Sequence, residues 1–393
     1  MVDGRNLVEN KCLIDIGGMD CDCSNDVLEY LGKSLSQNNY EDLWTPHENS
    51  FIADVIELFT KRGLLRSDTV TKALLDFISG ASYTGRKFKG DLPDLVYRWN
   101  KDELRLIKLY LESLKPNGWE LQDYDILTQY LYQRYFPMNE LRNEAEWLSV
   151  RSHLMGRAKT SLYNINTRQA AILAGALPVT VKAAIKIFNI EGTEKLALEY
   201  AKLKAADLIV SLSDQSRHAV KMTLLDHFQK KMSGDETATT QKLEQSLFDA
   251  HMELNRDWRR IALTEAGNGF NEGFVASLPP GTHVKRVELY NCCGYCKSID
   301  GKVMTVCDSN DPEKDGDTMI WQGKNNVGRS SSPNKRMPDG TLVPRTKEEL
   351  WWVTTGTIHP NCRGFFIQVA ENYRVSDKFA AWFEKESKKP EYQ

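Results

Sequence analysis

Two short stretches combine residue type and spacing in a way that permits chemistry: Cys293-Gly294-Tyr295-Cys296 and His359-Pro360-Asn361-Cys362. A C-x2-C knuckle curls two thiolates onto one ion, and an H-x2-C turn can supply two further donors. Cys293, Cys296, His359 and Cys362 thus form a Cys3His set, the closed tetrahedral arrangement of structural zinc. A closed set leaves no position for a water, so the expectation is zinc that holds a fold rather than an enzyme. Cys292 adjoins the knuckle and Cys307 follows a predicted strand, so either is an alternative ligand. The excursion between the two halves exceeds a zinc-finger spacing, and the ion would tie it at its base.

Other side chains carry weaker signals. Glu265, in Arg259-Arg260-Ile261-Ala262-Leu263-Thr264-Glu265, is a candidate general base, but on a charged helix it reads better as one end of an inter-helix salt bridge. Asp308, Asn310, Asp311, Asp315 and Asp317 suggest calcium, yet the glycine an EF-hand requires is missing and a solvated loop is the better reading. Cys21-Asp22-Cys23 reads as free thiols. A late basic stretch holds Lys324, Arg329, Lys335, Arg336 and Arg345, with Trp321, Trp351 and Trp352 nearby. Those residues could meet nucleic-acid phosphates or dock on a protein partner. No nucleophile elbow, phosphate-binding loop, dinucleotide fingerprint or HExxH occurs.

The elements that must position the four donors follow from the pattern of the chain. Its 393 residues and 41% apolar content suit two to three domains with real cores, and the net charge of −3 exerts no global pull on nucleic acid or membrane. The front is acidic, with twelve Asp or Glu against three Lys or Arg in residues 1–60. Neither a secretory leader nor a membrane span is expected, which points to a reducing cytosol and free thiols. The fold class is mostly α: an extended helical body followed by a small α+β zinc-binding module. Residues 1–138 read as an N-terminal helical domain, with segments at 51–63, 70–82 and 102–115 punctuated by Gly63, Pro93 and Pro116-Asn117-Gly118.

Residues 139–278 read as a long-helix body. Helices are predicted after Pro178 with Gly192 near the stop, from Glu194, from an N-cap at Ser213 or Asp214, and from about Lys242 to Val275 after a polar link at 234–241. Residues 279–393 read as the module, with strands at 283–290, 302–306, 349–355 and 364–370, a long loop at about 308–347, and a closing helix SDKFAAWFEKESKK.

Three stretches together resemble a known family. NRDWRRIALTEAGNGFNEGF is similar to the I-A-x-T-E helix followed by N-x-G in the phage Mu F-like head-morphogenesis (minor head protein) family. VELYNCCGYCKSIDGKV resembles its C-x-x-C and D-G stretch, through Cys293, Cys296, Asp300 and Gly301, and TIHPNCRGFF resembles its H-P-N-C-R-C ending. Gly364 stands where that family often has a second cysteine, and the 308–347 insertion is longer than the family core requires. The resemblance spans about 165–370 and leaves the first 140 or so residues unassigned. It implies a minor capsid protein of a tailed bacteriophage, assembled in the host cytoplasm and located in the virion head. The implied partners are the portal protein, the major capsid protein and packaged DNA, with a role in head assembly and in DNA packaging or ejection. Two other classes fit parts of the sequence: an HNH-type nuclease using His359 and Asn361, and a DNA-binding packaging factor using the basic loop.

Overall fold

The computed structural model describes residues 50–96, 98–116, 118–159, 175–289 and 292–369. Cys21-Asp22-Cys23, most of the acidic front and the closing helix lie outside the described residues. The described chain is mostly helical, with a small sheet near its C-terminal end, as the sequence suggests.

Helix α1 spans Ser50–Ser79 without interruption, where two helices are predicted. Gly63 does not end a helix. It makes room for Trp258, since a Cβ there would lie 2.6 Å from the indole ring. Trp258 stacks on Phe59 and donates its ring N–H to the Phe59 carbonyl at 3.1 Å. Helix α2, Lys101–Leu111, opens with a capping box between Asn100 and Glu103. Helices α3, Leu121–Tyr135, and α4, Met138–Arg157, follow.

Helix α5 covers Val181–Phe188 and stops at Asn189, whose φ of 50° is left-handed. Gly192, near that stop as expected, begins α6, a single 41-residue helix over Gly192–Met232. No break occurs at Ser213 or Asp214, because Ser213 is buried within that helix. Helix α7, Thr240–Ala276, starts where the polar link predicts, with Thr239 Oγ1 accepting from the Lys242 amide.

These helices share one apolar core running from Ile52 to Phe270, with members on both sides of residue 138. Glu265 binds Lys204 of α6 at 2.9 Å, the inter-helix role its charged setting suggests. Helices α4 and α7 touch backbone to backbone. A Cβ on Gly156 would lie 1.9 Å from the Phe270 carbonyl oxygen, and one on Gly273 would lie 1.9 Å from that of His153.

A polar seam joins α1 to α7, with Ser67 beside Asn255 and Thr71 Oγ1 2.6 Å from His251 Nδ1. Burial pulls His251 from 6.5 down to about 4. Between those values the unfolded chain takes up a proton that the folded chain refuses, so this contribution is complete above about pH 6.5 and is lost as the pH falls toward 4. A loss of about 2–3 kcal/mol over that window is expected. Urea midpoints measured from pH 7 to 4 should fall less steeply in His251→Leu, and parallel slopes would refute the assignment.

After α7 the chain builds a four-stranded sheet in the order β3-β2-β1-β6. Its strands are β1 His283–Val287, β2 Val303–Val306, β3 Met319–Ile320 and β6 Phe365–Gln368. β1 pairs antiparallel with β2 and β6, while β2 and β3 run parallel. Val284, Met304, Val306, Ile320 and Phe366 form the core of this module together with Phe274 and Val275 of α7.

The strand predicted at 349–355 is absent. Residues 351–354 have no regular structure, and their backbone is held by Asn326 Oδ1, which accepts from the Trp352 amide. The 308–347 stretch folds back on the module and carries a hairpin, β4 Asn334–Arg336 with β5 Leu342–Pro344.

Lys159 links body to module. Its buried Nζ donates to the Phe366 carbonyl of β6 at 2.5 Å and faces the rings of Phe270, Phe274 and Phe365. Lys159→Met keeps the stem and removes the charge. We expect a local loss of about 1–3 kcal/mol, read as faster amide exchange in β6 while the middle of α7 is unchanged. No described helix is long and apolar enough to cross a membrane.

Candidate metal centre

Each half of the donor set is shaped by its own short sequence. Cys293 caps a six-residue helix, α8 Gly294–Ile299, and its sulfur accepts from the Cys296 amide at 3.5 Å. That cap turns both thiols to one side. The other half is a tight turn closed by the Cys362 amide on the His359 carbonyl at 3.1 Å. Pro360 presets φ at the second position of the turn, and Asn361 takes a φ of 64° at the third, which asparagine tolerates.

The two halves meet. His359 Nε2 lies 3.1 Å from Cys293 Sγ and 3.2 Å from Cys296 Sγ, and Cys296 Sγ lies 3.9 Å from Cys362 Sγ. A tetrahedral zinc ion would set sulfur–sulfur edges of about 3.8 Å and sulfur–nitrogen edges of about 3.6 Å. The four side chains can therefore hold a metal ion. Cys293, Cys296 and His359 form one tight group of donors; Cys362 forms a second with Cys296 and Glu288. Neither Cys292 nor Cys307 belongs to these groups among the described residues.

The charges of the four groups depend on one another. The hydrogen bond with Cys296, reinforced by His359, outweighs burial and holds the Cys293 thiol down at about 4. Cys362 is held well below its ordinary value, first by its bond with Cys296, and with Arg286 and His359 adding to the effect. Cys296 is pushed up by those same two sulfur contacts and by burial. Burial opposes a charge on His359, but Cys293 and the Cys362 charge raise it to about 9. The His359 ring is oriented by Nδ1, which lies 2.8 Å from the Pro360 carbonyl oxygen, and by Trp351 stacked over it. This is the kind of outer contact that fixes a ligating imidazole.

Two groups at the centre lie outside the sequence reading. Arg286, fully buried on β1, donates to Glu288 at 2.7 Å, to the Gly356 carbonyl at 3.2 Å and to Cys362 Sγ at 3.4 Å. Glu288 Oε2 is 3.8 Å from the same sulfur. The signal was available in HVKRVELY: strand alternation puts Arg286 and Glu288 on the inward face with Val284. Asp300 and Gly301 hold this pair from the other side, through the Glu288 amide on Asp300 Oδ1 and the Gly301 amide on the Arg286 carbonyl.

Helix α7 docks on the same turn. Thr264 Oγ1 accepts from the Asn361 amide at 3.1 Å, and Asn268 Oδ1 accepts from the Thr357 amide at 2.7 Å. Asn271 donates to the Gly364 carbonyl at 2.8 Å.

The basic stretch divides in two. Lys324, expected on a contact surface, is buried at 1% exposure, and its Nζ donates to the carbonyls of Gly316 and Met319 between Trp321 and Trp352. Burial lowers it to about 7. Arg329 lies on Trp352 at 3.6 Å and donates to the Leu350 carbonyl, and Lys335 pairs with Glu349. Arg336 is exposed on β4, while Arg345 is half-buried just past β5. The acidic residues of 308–317 form local turns, with Asp308, Asp311 and Asp315 each accepting from an amide two residues on. Compared with family models, curated proteins and solved structures, the chain matches none of them.

Proposed function

We propose that the chain is a minor head protein of a tailed bacteriophage, akin to the Mu F-like head-morphogenesis family, whose C-terminal module is pinned by structural zinc. The observation that carries this reading is the meeting of the family-like stretches. Thr264, Asn268 and Asn271, spread along α7, each bond to the backbone of residues 357–364. Asp300 and Gly301 bond to the β1 backbone behind the thiols. The residues that carry the resemblance thus join helix to module, which is a reason for them to occur together in an assembly protein. Zinc is favoured by three thiolates and one imidazole, a soft donor set that discriminates against magnesium and calcium.

In this reading the protein sits at the portal vertex or on the inner capsid wall, contacts portal and major capsid protein, and aids head assembly and DNA packaging or ejection. It assigns no catalysis to the centre. His359 turns one ring nitrogen to two thiols and the other to a carbonyl, which leaves no free nitrogen for a nuclease base.

Quantitative mass spectrometry of purified particles tests the proposal. A few to some tens of copies, counted against portal and major capsid protein, is the expected result. Absence from virions and procapsids alike overturns it, and metal-dependent DNA cleavage lost in His359→Ala would replace it with the nuclease. Metal content belongs on the full chain. A fragment beginning near residue 246 would strip α7 of its glycine contact with α4.

A further inference from the structure

Five donors, not four, converge at the centre. Glu288 shares a second group with Cys296 and Cys362 in which all three are buried. A carboxylate so placed competes with a thiolate for any divalent ion. Two features keep it aside. Arg286 Nε takes Oε1 of Glu288 at 2.7 Å, while the same guanidinium reaches the Cys362 sulfur and the Gly356 carbonyl. Gly364 provides the space, because a Cβ there would lie 2.2 Å from Glu288 Oε1.

Charge gives the guanidinium a second task. Three thiolates, a neutral imidazole and a divalent ion leave one net negative charge in a buried place, and Arg286 is fully buried against it. Its cation also lies over the Phe366 ring at 5.0 Å, which fixes its approach from the sheet side.

We infer that Arg286 is the positioning residue of this centre: it withholds Glu288 from the metal and offsets part of the negative charge that Glu288 and the thiolates bring together, so that Cys362 rather than Glu288 completes the donor set. This rests on the metal-binding reading above. Removing the guanidinium frees Glu288, which then displaces Cys362 and converts the site to mixed sulfur and oxygen ligation.

The test is titration of the reduced, metal-free full chain with Co2+, reading the sulfur-to-cobalt charge-transfer absorption, which grows with the number of bound thiolates. The wild type should show a three-thiolate tetrahedral spectrum at one ion per chain. R286M should fall to about two-thirds of that intensity, one thiolate having been exchanged for a carboxylate. R286M/E288Q should recover it, because the amide is a poor competitor. E288Q alone leaves the buried cation in place and should keep both full intensity and stoichiometry.

Full intensity in R286M overturns the inference, as does failure of the double variant to recover. Loss of stoichiometry in E288Q makes Glu288 itself a ligand and also overturns it. A wild type that binds no Co2+ removes the metal reading, and this inference with it.

Discussion

Replacing Cys296 with serine is expected to strip the protein of its metal and to unfold residues 283–369 as a unit, while the helical body persists. Cys296 is the donor common to both groups at the centre, and it is 1% exposed. Its loss removes a ligand and leaves its neighbours without their shared partner. The strands around it are four or five residues long at most, and the apolar cluster beneath them is small. We expect such a module to depend on its metal as well as on that burial. Structural zinc contributes roughly 10–16 kcal/mol of apparent binding free energy in small metal-folded domains. Elemental analysis should find about one zinc per wild-type chain and almost none in Cys296→Ser. Trypsin should then cut the variant within 297–358. A variant that keeps its metal, or a metal-free module that resists cleavage, would show that burial suffices.

The second large effect is expected far from any ligand. Gly156→Ala or Gly273→Ala puts a methyl group where a carbonyl oxygen of the facing helix now sits, 1.9 Å from the new carbon. Neither neighbour is a flexible side chain that can swing away, so the two backbones must separate along the line that also carries Ser152 and Gly269. Overpacking usually costs 1–3 kcal/mol, and a backbone–backbone collision belongs at or above the top of that range, about 3 kcal/mol or more. Thermal melts would read this directly. Gly175→Ala, where a Cβ meets nothing within 4 Å, serves as the control. Equal melting temperatures for Gly273→Ala and the control would mean that the helices do not approach so closely.

What could be read in the sequence depended on how local its cause was. The cluster of Cys293, Cys296, His359 and Cys362 was legible because each pair lies within one turn, where spacing alone fixes the local geometry. The start of α7 was legible for the same reason, in the Thr239 cap after a polar link. Gly63 misled, since glycine marks a helix end only when nothing distant requires it, whereas the helix expected to stop near Gly192 does end close by, at Asn189. Gly63 serves an indole contributed by residue 258. Ser213 misled in a similar way, as a capping residue that the helix buried instead. Trp351 and Trp352 suggested a strand by composition. The structure uses them as side chains, Trp352 donating its ring N–H to the Asn325 carbonyl at 2.7 Å. Lys324 looked like surface charge because no local pattern shows that two tryptophans will enclose it.

The hairpin at residues 334–344 has a consequence for how this chain can vary. Its tip turns at Gly340, with a φ of 87°, and a Cβ there would meet nothing within 4 Å. The thiols stand at the foot of the excursion, and the tip takes no part in holding them. Lengthening a loop that is already long costs little, about 0.6 kcal/mol for each doubling. Residues 337–341 are therefore a place where the chain can grow, or accept a foreign epitope, with the donors and their helix left undisturbed.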